Sequence, residues 1–291
     1  MAQQQNILTS TRPYLMSAPA LAIYVGLFLI PLIMTFMLSF YTFDLNKGGI
    51  LPGFSLKNYA EVLGDPYFHG IFLRTLWMSL LVTFFCILLG TPEAYILNRM
   101  SNRWKSICML AILGPLLVSV VVRTLGWAIL IGSDGIINQA LIGIGIIDTP
   151  IKLMFTMTGV VVALVHVLIP FMVLSVWASL QKLNPMVESA GQSLGAAPFT
   201  VLRRVVIPQI MPGILSGSLI VFALTASAFA TPSILGGRRL KVVATTAYDE
   251  YLGTLNWPLG AAIAVLLLIA NVLIITSYNK FIERKYAQAF K

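Results

Sequence analysis

The chain has 291 residues, of which 58% are hydrophobic and only 10% are charged, and its formal net charge is +9. A water-soluble domain carries about 25% charged residues, so this composition excludes a fold exposed to water and predicts a protein embedded in lipid. The positive charge does not require a nucleic-acid partner, because its distribution along the chain has a simpler explanation.

Six apolar runs are each long enough to cross a hydrocarbon core about 30 Å thick. They predict an all-α, polytopic membrane protein with about six transmembrane helices. Strands of about ten alternating residues would not produce such continuous runs. The first run is longer than the apolar core of a cleaved signal peptide, so we expect it to be retained. The predicted spans are residues 15–40, 71–97, 107–131, 158–180, 213–231 and 259–281.

Basic residues divide unequally between the two sides of these spans. One side carries eleven Lys and Arg residues against Glu188 and Glu283, whereas the other side carries seven basic and seven acidic residues. Basic residues stay on the cytoplasmic side, so the sequence predicts two cytoplasmic tails, 1–14 and 282–291, around a transmembrane domain over 15–281. The eleven residues are Arg12, Arg99, Arg103, Lys105, Lys182, Arg203, Arg204, Lys280, Arg284, Lys285 and Lys291.

Two ionisable residues, Glu93 and Arg123, stand out within the predicted spans. A charge at membrane depth is costly and usually faces a cavity or an opposite charge. A Glu93–Arg123 ion pair between helices and a contact with substrate both agree with the sequence. Glu93 is the candidate for binding a cationic substrate, whereas Arg123 has the wrong sign for one.

Aromatic and acidic residues supply further candidates for a substrate path. Trp127, Trp177 and Tyr248 are candidates to stack on a cation, although aromatic residues near a membrane boundary also serve as interfacial anchors. Asp249 and Glu250 lie together in a predicted outer loop. There they would attract cations or contact a binding protein, and a solvated loop is the alternative.

Cysteine and histidine do not point to a metal site or a disulfide. Cys86 and Cys108 lie in separate predicted helices without a CxxC pair, and no histidine cluster accompanies them. A zinc site requires more ligands than any local segment supplies. His166 lies in the middle of the fourth span, where it either lines a polar path or bonds a neighbouring helix.

The predicted cytoplasmic stretch after the fourth span, residues 181–212, is long for a loop between membrane helices and reads QKLNPMVESAGQSLGAAPFTVLRRVVIPQIMP. Pro185 is suited to the first turn of a short helix, and Gly195 permits the turn that ends it. A second short helix is predicted over 198–206, before Pro208. Small residues cluster on the first helix, which would let another protein approach closely. We therefore expect a docking element outside the bilayer.

This stretch resembles the EAA loop of ABC-importer permeases, whose pattern is Glu-Ala-Ala, three residues, Gly, nine residues and Ile-x-Leu-Pro. Nine residues beginning with Ala196 follow Gly195 and lead to Val-Val-Ile-Pro, which ends at Pro208. Counting back from Gly195, Ala190 and Gly191 occupy the two alanine positions.

The sequence departs from the pattern at the acid. Ser189 occupies the glutamate position and Glu188 precedes it, so either residue is a candidate for the contact that the family assigns to that acid. The resemblance implies that these two residues, with Ala190, Gly191 and Gly195, form the surface that couples the permease to an ATPase.

The resemblance extends to the spermidine/putrescine-type branch of these permeases through the segments VRTLGWAILIGSDGIINQALIGIGIID, PFMVLSVWASLQKLNP and LNWPLGAAIAVLLLIANVLI. It implies a bacterial inner-membrane protein that pairs with a second permease subunit, usually a different chain. It also implies a cytoplasmic ATPase dimer and an extracytoplasmic solute-binding protein as partners. Relatives in this branch handle polyamines, ferric iron, thiamine, phosphonates and opine-like compounds, and we expect a small cationic solute such as a polyamine.

The chain contains no GxxxxGK[ST] phosphate-binding loop, so ATP and Mg²⁺ are expected on the partner ATPase. We therefore predict a transport subunit without catalytic residues or a cofactor of its own. A gradient-driven transporter or channel is the alternative class, and it would ordinarily show internal repeats or several intramembrane carboxylates.

Overall fold

The computed structural model describes residues 12–44, 46 and 49–286. Most of the predicted tails, residues 1–11 and 287–291, lie outside the described residues. Within the described part, six helical segments are long and apolar enough to cross a membrane, which confirms the predicted number. They are Ser17–Leu38, Pro66–Arg99, Val120–Gly143, Met157–Leu180, Pro198–Ala226 and Trp257–Lys280.

The individual helices are shorter than these spans where the chain bends. A small hairpin, which the all-α expectation did not include, follows the first span and pairs β1 (Thr42–Asp44) antiparallel with β2 (Gly49–Leu51). The helices are α1 (Arg12–Tyr24), α2 (Ile30–Leu38), α3 (Lys57–Gly64), α4 (Pro66–Arg99), α5 (Asn102–Leu113), α6 (Val120–Ile131), α7 (Ile136–Gly143), α8 (Met157–Leu180), α9 (Pro185–Ser193), α10 (Pro198–Val201), α11 (Ile207–Ala226), α12 (Val243–Tyr248) and α13 (Trp257–Tyr286).

Helices α4, α8 and α11 pack against one another and form the centre of the molecule. Glycines allow these contacts to be close. A Cβ added to Gly90 of α4 would lie 2.9 Å from Met172 Cγ of α8, and one added to Gly217 of α11 would lie 2.8 Å from Met172 Sδ. Small residues at such positions let membrane helices approach closely and gain dispersion energy. The first span is peripheral and contacts this bundle mainly through α2 and α13.

Two prolines inside the membrane helices are each preceded by a wide, π-helical turn. Val25–Leu29 precedes Pro31, and Leu202–Val206 precedes Pro208. A proline lacks the amide hydrogen, and its ring clashes with the carbonyl four residues earlier. The wider turn moves that carbonyl away. The chain therefore stays helical through both prolines.

The third predicted span, 107–131, is wrong as a single helix. Helix α5 ends at Leu113, a 3₁₀ turn covers Gly114–Leu117, and α6 begins only at Val120. Pro115 lies in this turn and cannot donate the hydrogen bond that a continuing helix needs. The third span instead joins α6 and α7.

The second short helix predicted in the 181–212 loop is also not separate. Helix α10 continues through the turn Leu202–Val206 into α11, so the fifth span begins at Pro198 and not at residue 213. Pro208 suggested a stop, but it lies in the first turn of α11. The loop outside the bundle therefore consists of α9 and the turn that follows it.

Contacts between distant segments agree with the predicted sides of the membrane. Arg99, at the end of α4, pairs with Glu188 in the loop after α8. At the opposite end of α4, the Arg74 guanidinium donates to the Lys241 carbonyl over 2.8 Å. The two ends of α4 thus meet the two groups of loops that the charge distribution assigned to opposite sides.

Candidate substrate path and coupling loop

Local hydrogen bonds define both ends of α9, the helix in the loop that resembles the EAA motif. The Asn184 side chain accepts from the Met186 amide over 3.0 Å at the beginning of the helix, as residues at helix N-caps do. At its end, Gly195 has φ +83° and donates to the Gln192 carbonyl over 2.9 Å. This left-handed glycine stops the helix in a Schellman motif.

The small residues of α9 do not share one role. A Cβ on Gly191 would lie 3.2 Å from Val201 Cγ2 of α10, and Val201 is buried. Gly191 is therefore small because its own chain packs on it, which differs from the expectation that all the small residues admit a partner. Ser189 and Ala190 are exposed.

Exposed apolar side chains flank these residues along the chain, and we call them the apolar surface of α9. Met186 is 75% exposed, Leu194 88% and Phe199 72%. All three lie on α9, at its end or at the beginning of α10. Such side chains are costly to leave in water, and a contiguous exposed patch of them marks an interaction site.

Glu188 is used within the chain. Its carboxylate pairs with the Arg99 guanidinium at the end of α4, and that guanidinium lies 4.5 Å from the centre of the Tyr95 ring. The sequence left open whether Glu188 or Ser189 takes the role of the family's acid. The structure places Glu188 against α4 and Ser189 at the surface.

Glu93 and Trp127 line one cavity of about 560 Å³ between α4, α6 and α8. The Trp127 indole donates from Nε1 to His166 Nδ1 over 3.1 Å. Phe85 and Val165 contribute to the walls of this cavity, which are otherwise mainly aliphatic. Of the two alternatives for His166, the structure shows the bond to a neighbouring helix, and His166 also lines this cavity.

Arg123 lines a separate cavity of about 350 Å³ between α6, α8 and the end of α11, with Phe171 and Phe229 in its wall. Its Nε and Nη1 atoms are buried and have no acceptor among the described residues. Glu93 is absent from this cavity, and no Glu93–Arg123 ion pair occurs in the described part of the chain. The two charges therefore face different spaces.

The other predicted path residues lie outside the Glu93 cavity. Trp177 packs against the core of the bundle, and its Nε1 is buried without an acceptor in the described residues. Tyr248 is half-exposed at the end of α12, with its ring 4.6 Å from that of Phe229. Asp249 follows it and pairs with Lys241 over 3.1 Å.

The charges that flank α12 influence one another. Burial alone lowers the pKa of Lys241, but the hydrogen bond from Lys241 to Asp249, the Asp249 charge and Tyr67 together outweigh burial and raise it above the ordinary value. Asp249 thus forms an ion pair with a residue of its own chain. Among the described residues, no group of three His, Cys, Asp or Glu side chains is placed to hold a metal ion.

Six helices long and apolar enough to cross a membrane, with Glu93 and Arg123 lining cavities between them, are typical of a multi-pass membrane transport protein. Comparison with known proteins specifies the class. The spermidine/putrescine transport system permease protein PotB of Salmonella typhimurium (strain LT2) is 32% identical over 249 residues, covering 86% of this chain and 86% of that protein. PotB of Haemophilus influenzae is 30% identical over 260 residues, covering 88% and 90%.

Solved structures share the fold at lower identity. A chain of a bacterial ABC transporter involved in the import of the acidic polysaccharide alginate aligns with a TM-score of 0.78 and 17% identity, covering 93% of this chain and 94% of that one. A chain of the inward-facing MetNI methionine ABC transporter aligns with a TM-score of 0.57 and 18% identity, covering 76% and 98%. No protein-family profile matches the sequence.

The chain belongs to the family of ABC-importer permeases that includes the PotB proteins. It is a multi-pass inner-membrane protein and a transport subunit. Family membership confirms the resemblance seen in the sequence, and it replaces the alternative of a gradient-driven transporter or channel.

Proposed function

We propose that this permease imports a small organic cation such as a polyamine, and that the cavity shared by Glu93, Trp127 and His166 lies on its path. The observation that carries the proposal is the meeting of a membrane-embedded carboxylate and an aromatic pair in one space of about 560 Å³. Relatives at 30–32% identity that carry the name of spermidine/putrescine permeases support it.

The chemistry of this cavity suits a flexible polyamine. An ammonium group gains from the face of an indole ring and from an opposite charge in a site with little water. The aliphatic walls from α4 and α8 suit the methylene segments between the ammonium groups. Glu93 lies towards the predicted cytoplasmic end of α4. Trp127 lies near the C-terminal end of α6, on the predicted outer side. A linear cation would therefore pass from the aromatic pair to the carboxylate.

The apolar surface of α9 is the proposed site of the ATPase. In this proposal a cytoplasmic ATPase dimer, which holds ATP and Mg²⁺, docks where Met186, Leu194 and Phe199 are exposed. Glu188, Ser189, Ala190, Gly191, Gly195, Ala196 and Pro208 form or support this coupling loop, within residues 181–212 of a transmembrane domain over 15–281. Movement of the loop would switch the bundle between inward- and outward-facing states.

The remaining partners complete the transporter. A second permease subunit, a different chain in this proposal, would close the path on the side of the bundle where this chain leaves its helices exposed. An extracytoplasmic solute-binding protein would deliver the cation near Tyr248 and Asp249. Both tails, residues 1–14 and 282–291, would then lie in the cytoplasm, as the basic residues indicate.

The test is uptake of radiolabelled spermidine and putrescine by the complete transporter in liposomes with internal ATP. Glu93→Gln is expected to lower uptake about tenfold, which corresponds to about 1.4 kcal/mol, and Glu93→Asp is expected to retain part of it. Glu61→Gln, a change to an exposed carboxylate on α3, is the matched control. Full polyamine uptake by Glu93→Gln would contradict the proposed path.

A second candidate substrate class is a solute with an acidic group. Arg123 favours it, because two of its buried donor atoms have no acceptor in the described part of the chain. Competition of polyamine uptake by phosphonates and by amino-acid conjugates of opine type distinguishes the two classes. Uptake of an anionic solute that depends on Arg123 and not on Glu93 would favour the second.

A further inference from the structure

We propose that the ion pair between Arg99 and Glu188 transmits the movement of α9 into α4, and so to Glu93. Both residues would then be positioning residues for transport, and neither would touch the substrate. The proposal rests on the proposed role of α9 as the helix that docks the ATPase. It adds a second mechanical connection, which the EAA pattern does not supply.

The pair joins two helix ends whose charges favour it. Arg99 lies in the last turn of α4, and Glu188 lies in the first turn of α9. A cation at a helix C-terminus and an anion at an N-terminus each complement the helix dipole. The Glu188 side chain is only 16% exposed, so the carboxylate is largely covered by its own chain.

Tyr95 restricts the arginine. The Arg99 guanidinium lies over the Tyr95 ring, one turn earlier on α4, at 4.5 Å from its centre. A guanidinium that stacks on an aromatic face and pairs with a carboxylate loses fewer conformations on binding than a lysine would. The ion pair therefore holds α9 in a defined position relative to the end of α4.

Helix α9 has a different connection to the fifth span. It packs on α10 and on the wide turn that leads into α11, with Gly191 against Val201. One face of α9 thus contacts the start of α11, and Glu188 holds the end of α4. These are two of the three helices that form the centre of the bundle.

Helix α4 transmits the movement from Arg99 to the cavity that Glu93 lines. It is one continuous helix from Pro66 to Arg99, and Glu93 precedes Arg99 by six residues. At a rise of 1.5 Å per residue, the two are about 9 Å apart along the axis. A displacement of Arg99 by α9 therefore moves Glu93 relative to Trp127 and His166 on the neighbouring helices.

A charge exchange tests the proposal in the complete transporter, reconstituted in liposomes with the ATPase, the second permease and the binding protein. The measured quantity is the amount of cation imported per ATP hydrolysed. Glu188→Arg and Arg99→Glu are each expected to lower this ratio about tenfold, within the range of coupling between contacting charges. The double variant is expected to recover at least about half of the original ratio. Arg103→Glu, an exposed basic residue on α5, is the matched control.

Two further measurements keep the outcomes distinct. The ATPase should co-purify with every variant, because the apolar surface of α9 is unchanged. If the ATPase no longer co-purifies with Glu188→Arg, and adding Arg99→Glu in the double variant does not restore co-purification, then Glu188 contacts the ATPase and the proposal is wrong. Arg99→Gln, which removes the charge without reversing it, replaces Arg99→Glu if that variant fails to assemble, and it should also lower the ratio.

Failure of the proposed substrate would look different. The unmodified transporter would then import no cation, and the ratio would be measured with whichever solute it does import. Failure of the coupling proposal would leave transport by the unmodified protein intact and appear only in the variants, as unchanged ratios in the single variants, a double variant without recovery, or loss of the ATPase.

Discussion

Gly191 of α9 faces Val201 of α10 so closely that a Cβ on the glycine would lie 3.2 Å from Val201 Cγ2. Ala190, the preceding residue, is exposed. Two neighbouring small residues therefore serve different purposes, one in the packing of the loop and the other at its surface.

This difference predicts opposite effects for two leucine substitutions. Gly191→Leu would force α9 away from α10 and is expected to cost about 1–3 kcal/mol, as overpacking does, and so to lower the melting temperature of the purified permease. Ala190→Leu should leave the melting temperature unchanged and reduce co-purification of the ATPase. Thermal unfolding in detergent and pull-down of the ATPase measure the two effects. Equal melting temperatures for both variants would contradict this assignment.

Gly195 is predicted to tolerate alanine poorly for a reason of backbone geometry alone. A Cβ there would meet nothing within 4 Å, but φ is +83°, and the left-handed conformation costs an L-residue about 1–2 kcal/mol. Gly195→Ala should loosen the end of α9 and speed amide hydrogen exchange there. Gly143→Ala, at a helical glycine with open space around it, is the control. Unchanged exchange in α9 would show that the turn does not depend on glycine.

Arg123 is predicted to lower the stability of the fold without contributing to polyamine uptake. Its buried Nε and Nη1 lack acceptors in the described part of the chain, and each unsatisfied buried donor costs about 1–3 kcal/mol. Arg123→Met keeps a long side chain without donors, so it should raise the melting temperature and leave spermidine uptake unchanged, because the proposed cation path lies in the Glu93 cavity. Lys182→Met, at an exposed cation, is the comparison. A lower melting temperature with normal uptake would assign Arg123 a structural role instead.

The Lys241–Asp249 pair predicts a specific dependence of stability on pH. The pKa of Lys241 lies above its ordinary value of 10.5 in the folded protein. The charged form is thus favoured by folding, so its contribution is complete below about pH 10.5 and is lost as the pH rises through the folded pKa. Because both side chains are partly exposed, the contribution is at most about 1 kcal/mol. The difference in melting temperature between the protein and Lys241→Met should therefore stay constant from about pH 6 to about pH 9 and shrink above about pH 10.5. A difference that changes near neutral pH would contradict this.

The sequence was sufficient for the number of spans, because hydropathy averaged over about 20 residues is insensitive to local detail. It misplaced the third and fifth spans at prolines. Pro115 ends a helix that hydropathy reads as continuous, whereas Pro208 lies inside a helix because a wide turn precedes it. Local sequence does not distinguish these two cases, and Pro92 and Pro170 lie inside α4 and α8 with no wide turn before them.

Site residues were predictable one by one, but their partners were not. Glu93 and Trp127 stood out by residue type, yet their common cavity depends on how α4, α6 and α8 are rotated. The sequence placed Arg99 only among the basic residues of the predicted cytoplasmic side, because its partner Glu188 lies 89 residues away. Contacts of this kind follow from tertiary packing, which periodicity does not encode.

The wide turn over Leu202–Val206 sets the direction in which the side chains of α10 point relative to those of α11. Each residue advances an α-helix by about 100°, and the turn holds Val201 against Gly191 while Ile210 of α11 is buried in the core. Deleting one residue, Val205, would restore regular α-helix with both faces nearly in place, but it would return the Pro208 ring to its clash with the carbonyl four residues earlier. The length of this segment is therefore more tightly constrained than its composition, and homologues should vary in the residues of the turn without changing their number.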